Sequence, residues 1–373
     1  MASFDVSRPW TILAPINLPA AQKAAEELSC YIEILRRRSG IPPAFPPIMD
    51  VFGTAPAETV PVILLNSESG NWERNGFTWR AAQERIEIYG QSERGLCNGV
   101  FDFLSALGLS WPEPDREILP PVSADQPVKY PMEVSRAYKP SPIGGAGDAA
   151  SIQRFFMDPR APLKSRKSRI IWAARNQIDV LIFSFRDAIL KRKPSREKAD
   201  RGGASPASLF VHPRRILLKL MKSYALQLER GGWELSLLVP RRYFFFHRDF
   251  FRMNSGQRLR DHHFCPTNPA TIRLIRKQGR ALFSANPGVE VFHLWPDRGY
   301  EKTWCSCPTC RAFTPAEQNR IAVNAAADAL AAVNPRGRIS FYEEGEGGDI
   351  PLRPNTFRID PLSVAAARLP PRS

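Results

Sequence analysis

The chain has 373 residues, an apolar content of 43% and a formal net charge of +15 at neutral pH. That length leaves room for two or three domains with a large core, and no run approaches the ~20 apolar residues of a membrane span, so no membrane partner is expected. Six cysteines in so long a chain exclude a disulfide-built scaffold.

The opening MASFDVSRPW has neither a basic n-region nor an apolar h-region, so no secretory signal is read and the location defaults to the cytoplasm. Residues 20 to 38 predict a helix, with Ala21, Ala24, Ala25, Leu28, Tyr31, Ile32 and Leu35 on one face and Gly40, Pro42 and Pro43 ending it. VPVILLN (60 to 66) reads as a buried strand, and FTWRA with ERIEIYG as a strand pair turning at Ala82 and Gln83. Ser92 is placed to cap a helix striped by Leu96, Val100, Phe103, Leu104 and Leu107, which Gly108 ends. Cys30 and Cys97 fall in these helices and are expected to be core thiols. The elements make a small α+β domain over residues 8 to 121, closed by the Pro-rich connector WPEPDREILPPVSADQP.

From residue 130 the pattern becomes strand, loop, helix, strand. MEVSRAY predicts a short first strand, SRIIWAARN a helix and IDVLIFSF a buried strand. RRILLKLMKSY predicts another helix, and ALQLERGGWEL a third strand ending in a Gly-Gly turn before Glu234. TIRLIRKQGRALFSA leads into the strand VEVFHLW, and a helix from Asn319 to Val333 leads into RISFYEEGE. Repeated helix-strand units specify an α/β class with a parallel sheet, most simply a (β/α) barrel over residues 130 to 350. About five strands are visible against the eight of a complete barrel. The barrel is therefore expected to be truncated, with residues 351 to 373 an irregular tail and an oligomer or second chain covering the open edge. Residues 160 to 222 hold 17 Lys and Arg against four Asp and Glu. Aromatics are not interleaved with these charges, so they read as a solvated face and not as a nucleic-acid groove.

AAEELSCYIEIL and RIEIYGQSERGLCNGVFDFLSALGLSWPEP resemble the accessory domain that precedes the barrel in family-67 α-glucuronidases and family-20 hexosaminidases. RLRDHHFCPTNPATIRLI, VEVFHLWPDRG and WCSCPTCR resemble the domain of unknown function 4838, found in barrel proteins joined to that accessory domain. The resemblance covers roughly residues 20 to 345. It implies an accessory domain, a (β/α)₈ barrel and a glycoside-hydrolase-like role on carbohydrate, with no cofactor required for catalysis. The chain departs from the family at Gly231, Gly232 and Trp233, where Gly-Gly-His is expected, and in stopping after the fifth strand.

Glycoside hydrolysis needs a carboxylic acid at the leaving oxygen and a second group opposite it. Asp297, just past the end of VEVFHLW, is the first candidate, and Glu343, Glu344 and Glu346 follow the next strand. Glu234, past the third strand, and Arg136, in the first, are candidate sugar-binding residues, and Trp295 and Tyr342 are candidate stacking faces. The alternative is a glycan-binding or scaffolding remnant without turnover. Cys305, Cys307 and Cys310, joined by Cys265, have the makings of a structural zinc site, with His262 or His263 as substitute ligands. Disulfides and free thiols are the competing readings. No dinucleotide fingerprint and no nucleophile-elbow serine is present.

Overall fold

The computed structural model describes residues 2–53, 60–67, 75–82, 84–121, 129–132, 135–138, 153–187, 213–297, 299, 303–341, 359–360 and 367–368. In chain order the first half contains β1 (Ala2–Asp5), β2 (Thr11–Ala14), α1 (Pro19–Arg38), β3 (Ile48–Asp50), β4 (Val62–Ser67), β5 (Phe77–Ala81), β6 (Arg85–Gly90), α2 (Glu93–Ala106), β7 (Ser110–Glu113), β8 (Arg116–Ile118), β9 (Lys129–Met132) and β10 (Ser135–Tyr138). There follow β11 (Arg154–Met157), α3 (Leu163–Arg175), β12 (Val180–Phe183), α4 (Pro213–Ser223), β13 (Gln227–Trp233), β14 (Met253–Asn254), β15 (Gln257–Arg258), α5 (Pro269–Ser284), β16 (Val291–Trp295), α6 (Pro315–Ala331), β17 (Arg338–Phe341), β18 (Ile359–Asp360) and β19 (Ala367–Arg368). They form two compact units: Met1–Phe155 with Ala161–Leu181 and Gly203–Gln227, and Phe156–Arg160 with Ile182–Gly202 and Leu228–Ser373.

The first unit has a six-stranded sheet in the order β10-β5-β6-β4-β2-β3. Strands β3, β2, β4 and β6 run parallel, while β5 and β10 are antiparallel additions. The apolar stripe of α1 is buried as its spacing predicts, from Ala20 to Leu35. Ser92 caps α2 by accepting from the Gly95 amide at 3.1 Å, and Gly108 leaves the helix at φ +95°. Cys97 is buried, but Cys30 is exposed and is not a core thiol. The start of the Pro-rich connector forms the β7–β8 hairpin.

Asp179, fully buried, organises much of this unit. It accepts from Arg94 Nε at 3.2 Å, Asn75 Nδ2 at 2.6 Å, Asn98 Nδ2 at 3.1 Å and the Gln153 amide at 3.0 Å. Arg94 then donates to the carbonyls of Ala174, Ile178 and Tyr224. A buried charge pair persists only when its remaining donors and acceptors are met in this way.

The second unit is built on a seven-stranded sheet in the order β18-β17-β16-β13-β12-β11-β19. The pairings β13–β16, β16–β17 and β17–β18 are parallel. Period-two alternation assigns the two faces. Phe292, Leu294, Ile339 and Phe341 point to one side, where they pack with Ile275 and Phe283 of α5 and Val323 and Ala326 of α6. His293, Trp295 and Ser340 point to the other. There Trp295 packs on Ile182, Phe156 and Trp233, and His293 Nε2 lies 2.8 Å from Glu229 Oε2. Helix α6 opens with a capping box between Thr314 and Glu317, four residues before its sequence-predicted start.

Three expectations change here. Ser135–Tyr138 pairs antiparallel with β5, Arg136 lying opposite Trp79, so Arg136 is on the six-stranded sheet and not at a barrel mouth. The alternation of MEVSRAY suits a half-buried antiparallel strand as well as a barrel strand, and pattern does not name the partner. Gly231 and Gly232 lie inside β13 and not in a turn. Within the tail expected to be irregular, β18 pairs with β17.

Candidate functional site

The site grows from the carboxyl ends of three neighbouring strands of the second unit. Past β12 come Ser184, Phe185 and Arg186; past β13, Glu234 and Ser236; past β16, Asp297. Glu234 is buried and accepts from Ser184 Oγ at 2.6 Å and from the Phe185 amide at 2.6 Å. It ties the end of β13 to the end of β12, and Arg186 Nε stands 3.6 Å from its Oε1. Asp297 is 5% exposed. It accepts from the Ser236 amide at 3.1 Å and Ser236 Oγ at 2.9 Å. His262 Nδ1 lies 3.0 Å from its Oδ1 and Arg186 Nη2 3.6 Å away. One guanidinium therefore bridges both carboxylates.

Arg186, Ser236 and His262, partners of Asp297 among the described residues, all line a cavity of about 390 Å³, together with Leu237, Pro240 and Arg241. The Arg241 guanidinium lies against the ring nitrogens of His262. Two arginines and a histidine thus face the space, and the carboxylates stand one layer behind. Arg186 sits past a strand end just as Asp297 does. The same positional signal marks it in the sequence, three residues beyond the strand VLIF.

The sequence-derived candidates are placed as follows. Asp297 is at the carboxyl end of its strand and beneath the cavity. Glu234 is beside it, engaged as a loop tie. Trp295 is fully buried, its ring against Phe156, Trp233 and His293 and its indole N–H donating to Ser340 Oγ at 3.0 Å, so it is core and offers no stacking face. Tyr342, Glu343, Glu344 and Glu346 lie outside the described residues. His262 turns to Asp297, and His263 lies tilted by 34° against Trp304, 4.6 Å between ring centroids; neither joins the cysteines.

The four cysteines do converge. The sulfurs of Cys265, Cys305, Cys307 and Cys310 lie within 4.8 Å of one another, all buried. Cys265 Sγ is 3.7 Å from Cys307 Sγ and 3.6 Å from Cys310 Sγ, and all six cysteines are free. Hydrogen bonds from Cys305 and Cys310 hold the Cys265 thiol far below its usual value, with burial opposing. The same contacts push Cys305 and Cys310 up. Gln318, on α6, braces the loop: its Oε1 accepts from the Cys305 amide at 3.0 Å and its Nε2 donates to the carbonyls of Cys305, Cys310 and Phe313.

No family model matches the chain, and no curated protein matches it. Solved structures do. The chain is similar to a family-20 chitobiase of Flavobacterium johnsoniae, at 12% identity and a TM-score of 0.55, over 94% of this chain and 52% of that one. It is also similar to a family-20 exo-β-N-acetylglucosaminidase of Vibrio harveyi, at 14% identity and a TM-score of 0.48, over 93% and 53%. A family-20 β-N-acetylhexosaminidase of Streptomyces coelicolor matches at 12% identity and a TM-score of 0.49, over 93% and 68%. The likeness is one of fold. The chain spans about half the length of the first two structures.

Proposed function

We propose that the second unit acts on carbohydrate as a glycoside-hydrolase-type domain, cleaving O-glycosyl bonds with Asp297 and His262 as its acid–base pair. The observation that carries this reading is that Ser236, His262 and Arg186, which hold Asp297 among the described residues, are also walls of the cavity. In that arrangement Asp297 orients the imidazole, and His262 exchanges a proton with a bound group. Glu234 contributes by fixing Arg186. A second carboxylate, as glycosidases commonly use, would come from Glu343 or Glu344, which follow β17 beside β16 in the sheet. Because Arg186, Arg241 and His262 line the space and, among the described residues, no carboxylate does, a sugar carrying a negative charge, such as a uronate, is the favoured occupant. The fold likeness makes N-acetylglucosaminides the second class to try.

The test is turnover of aryl glucuronides and aryl N-acetylglucosaminides by the full chain, with binding followed by calorimetry. Asp297→Asn is expected to lower turnover by about 10²–10⁴-fold while sugar binding and the thermal transition persist. Binding of either class with no turnover by the wild-type chain would favour the second reading, a glycan-binding domain. One observation already supports that reading: Asp297 and Glu234 are both engaged by internal donors and almost fully buried. Neither turnover nor binding of either class would remove both.

A further inference from the structure

We infer that Cys265, Cys305, Cys307 and Cys310 form a closed tetrathiolate zinc site that fastens together the two loops carrying His262 and Asp297. Zinc binds cysteine sulfur at about 2.3 Å, which sets the edge of a regular tetrahedron at ~3.8 Å. The Cys265–Cys307 and Cys265–Cys310 separations of 3.7 and 3.6 Å match that edge. They are far longer than a disulfide bond of about 2.05 Å.

A second, independent observation concerns what surrounds the sulfurs. The Met253 amide donates to Cys305 Sγ at 3.2 Å and the Cys310 amide to Cys307 Sγ at 3.5 Å. The Arg258 guanidinium reaches Cys305 Sγ at 3.7 Å, and Thr267 Oγ1 lies 3.1 Å from Cys310 Sγ. A neutral thiol is a weak acceptor, and a buried quartet of neutral thiols has no use for a cation and two amides. Four thiolates around a divalent ion carry net negative charge, and these donors are the outer shell such a centre requires. With four sulfurs and no open position, the ion would be structural.

The topology says what the centre does. Cys265 is three residues beyond His262, and Cys305 is eight beyond Asp297. Those two segments meet at the cysteines, at Trp304 against His263 and Phe264, and at Ser306, which donates twice to the Met253 carbonyl at 2.8 Å. The zinc would therefore set the distance between the members of the Asp297–His262 pair. The metal assignment stands independently of whether that pair is catalytic.

The test is metal analysis of the full chain purified without added metal, paired with thiol counting and hydrogen exchange. One zinc per chain is expected, with Cys30 open to a thiol reagent, Cys97 shielded by the core, and the other four thiols shielded until a strong chelator is added. Chelation should speed amide exchange in residues 250–268 and 303–313 while leaving β4 and β6 unchanged. Cobalt substitution should give the charge-transfer absorption of a tetrahedral thiolate site, and Cys30→Ser with Cys97→Ser should not remove it. Disulfides found by mass, free reactivity of the four cluster thiols without chelation, or iron in place of zinc would each overturn the assignment. Zinc removal without faster exchange in those segments would overturn the fastening role. Because metal content and thiol reactivity are read on the native chain, a Cys307→Ser variant that fails to fold leaves the result decided.

Discussion

A Cβ on Gly231 would stand 2.0 Å from the His293 carbonyl oxygen, and the residue adopts φ +116°. Both facts forbid a side chain there: the contact is with backbone of the neighbouring strand, and the conformation is one that L-residues rarely hold. Gly231→Ala is therefore expected to cost about 2–5 kcal/mol, read as a lower midpoint in urea unfolding. Gly256 is the control. It also has positive φ, +81°, but nothing within 4 Å of its Cβ position, so Gly256→Ala should cost only about 1 kcal/mol. Equal losses at the two positions would show that close approach to β16 is not what holds Gly231. The pair Gly231–Gly232 reads as a turn from sequence because a turn and a close strand approach make the same demand on the backbone. Asp297, by contrast, was legible, because a carboxylate behind a Pro after a buried strand marks a strand end. Its partner His262 was not: 35 residues separate them, and no local pattern encodes a contact made by two loops.

At the scale of elements, α1, α3 and the end of α4 are joined through Glu27. Its carboxylate accepts from Tyr224 Oη at 2.6 Å and Arg175 Nη2 at 3.0 Å, with Lys23 Nζ 3.2 Å away. Burial works to raise the Glu27 pKa, but Arg175, Tyr224 and Lys23 outweigh it and the net direction is down. Burial likewise pushes the Tyr224 phenol up, so it stays a donor. A lowered folded-state pKa means that the carboxylate stabilises the fold above the unfolded value of about 4.3 and that this contribution fades as pH falls through the folded value. Glu27→Gln should thus lose about 1–3 kcal/mol at pH 7, and the gap to wild type should close below about pH 4. A gap unchanged from pH 7 to pH 3 in thermal melts would mean that packing, not charge, joins these helices. The helices themselves were legible from their stripes. Strand partners were less so: SRAY and RFFM are four residues each, too short for pattern to say which sheet they join, and only the second reaches the sheet of the second unit.

Over the whole molecule, 17 basic against four acidic residues between positions 160 and 222 account for 13 of the 15 net positive charges. Two kinds of anionic ligand should respond differently to that distribution. A long acidic polysaccharide can meet many of these charges at once, and its attraction acts across solvent, where the screening length falls from about 10 Å at 0.1 M salt to about 3 Å at 1 M. A single acidic sugar in the cavity would meet Arg186 and Arg241 at hydrogen-bond distance, against the partly dry wall of Leu237 and Pro240, where screening is weaker. Raising salt from about 0.05 to 0.5 M should weaken polymer binding on the order of 100-fold and the monosaccharide less than about 10-fold. Replacing Lys191, Arg192 and Lys193 by Gln should affect only the polymer, and Arg241→Gln chiefly the monosaccharide. A monosaccharide whose binding falls as steeply with salt as the polymer's, or survives Arg241→Gln unchanged, would place its recognition outside the cavity.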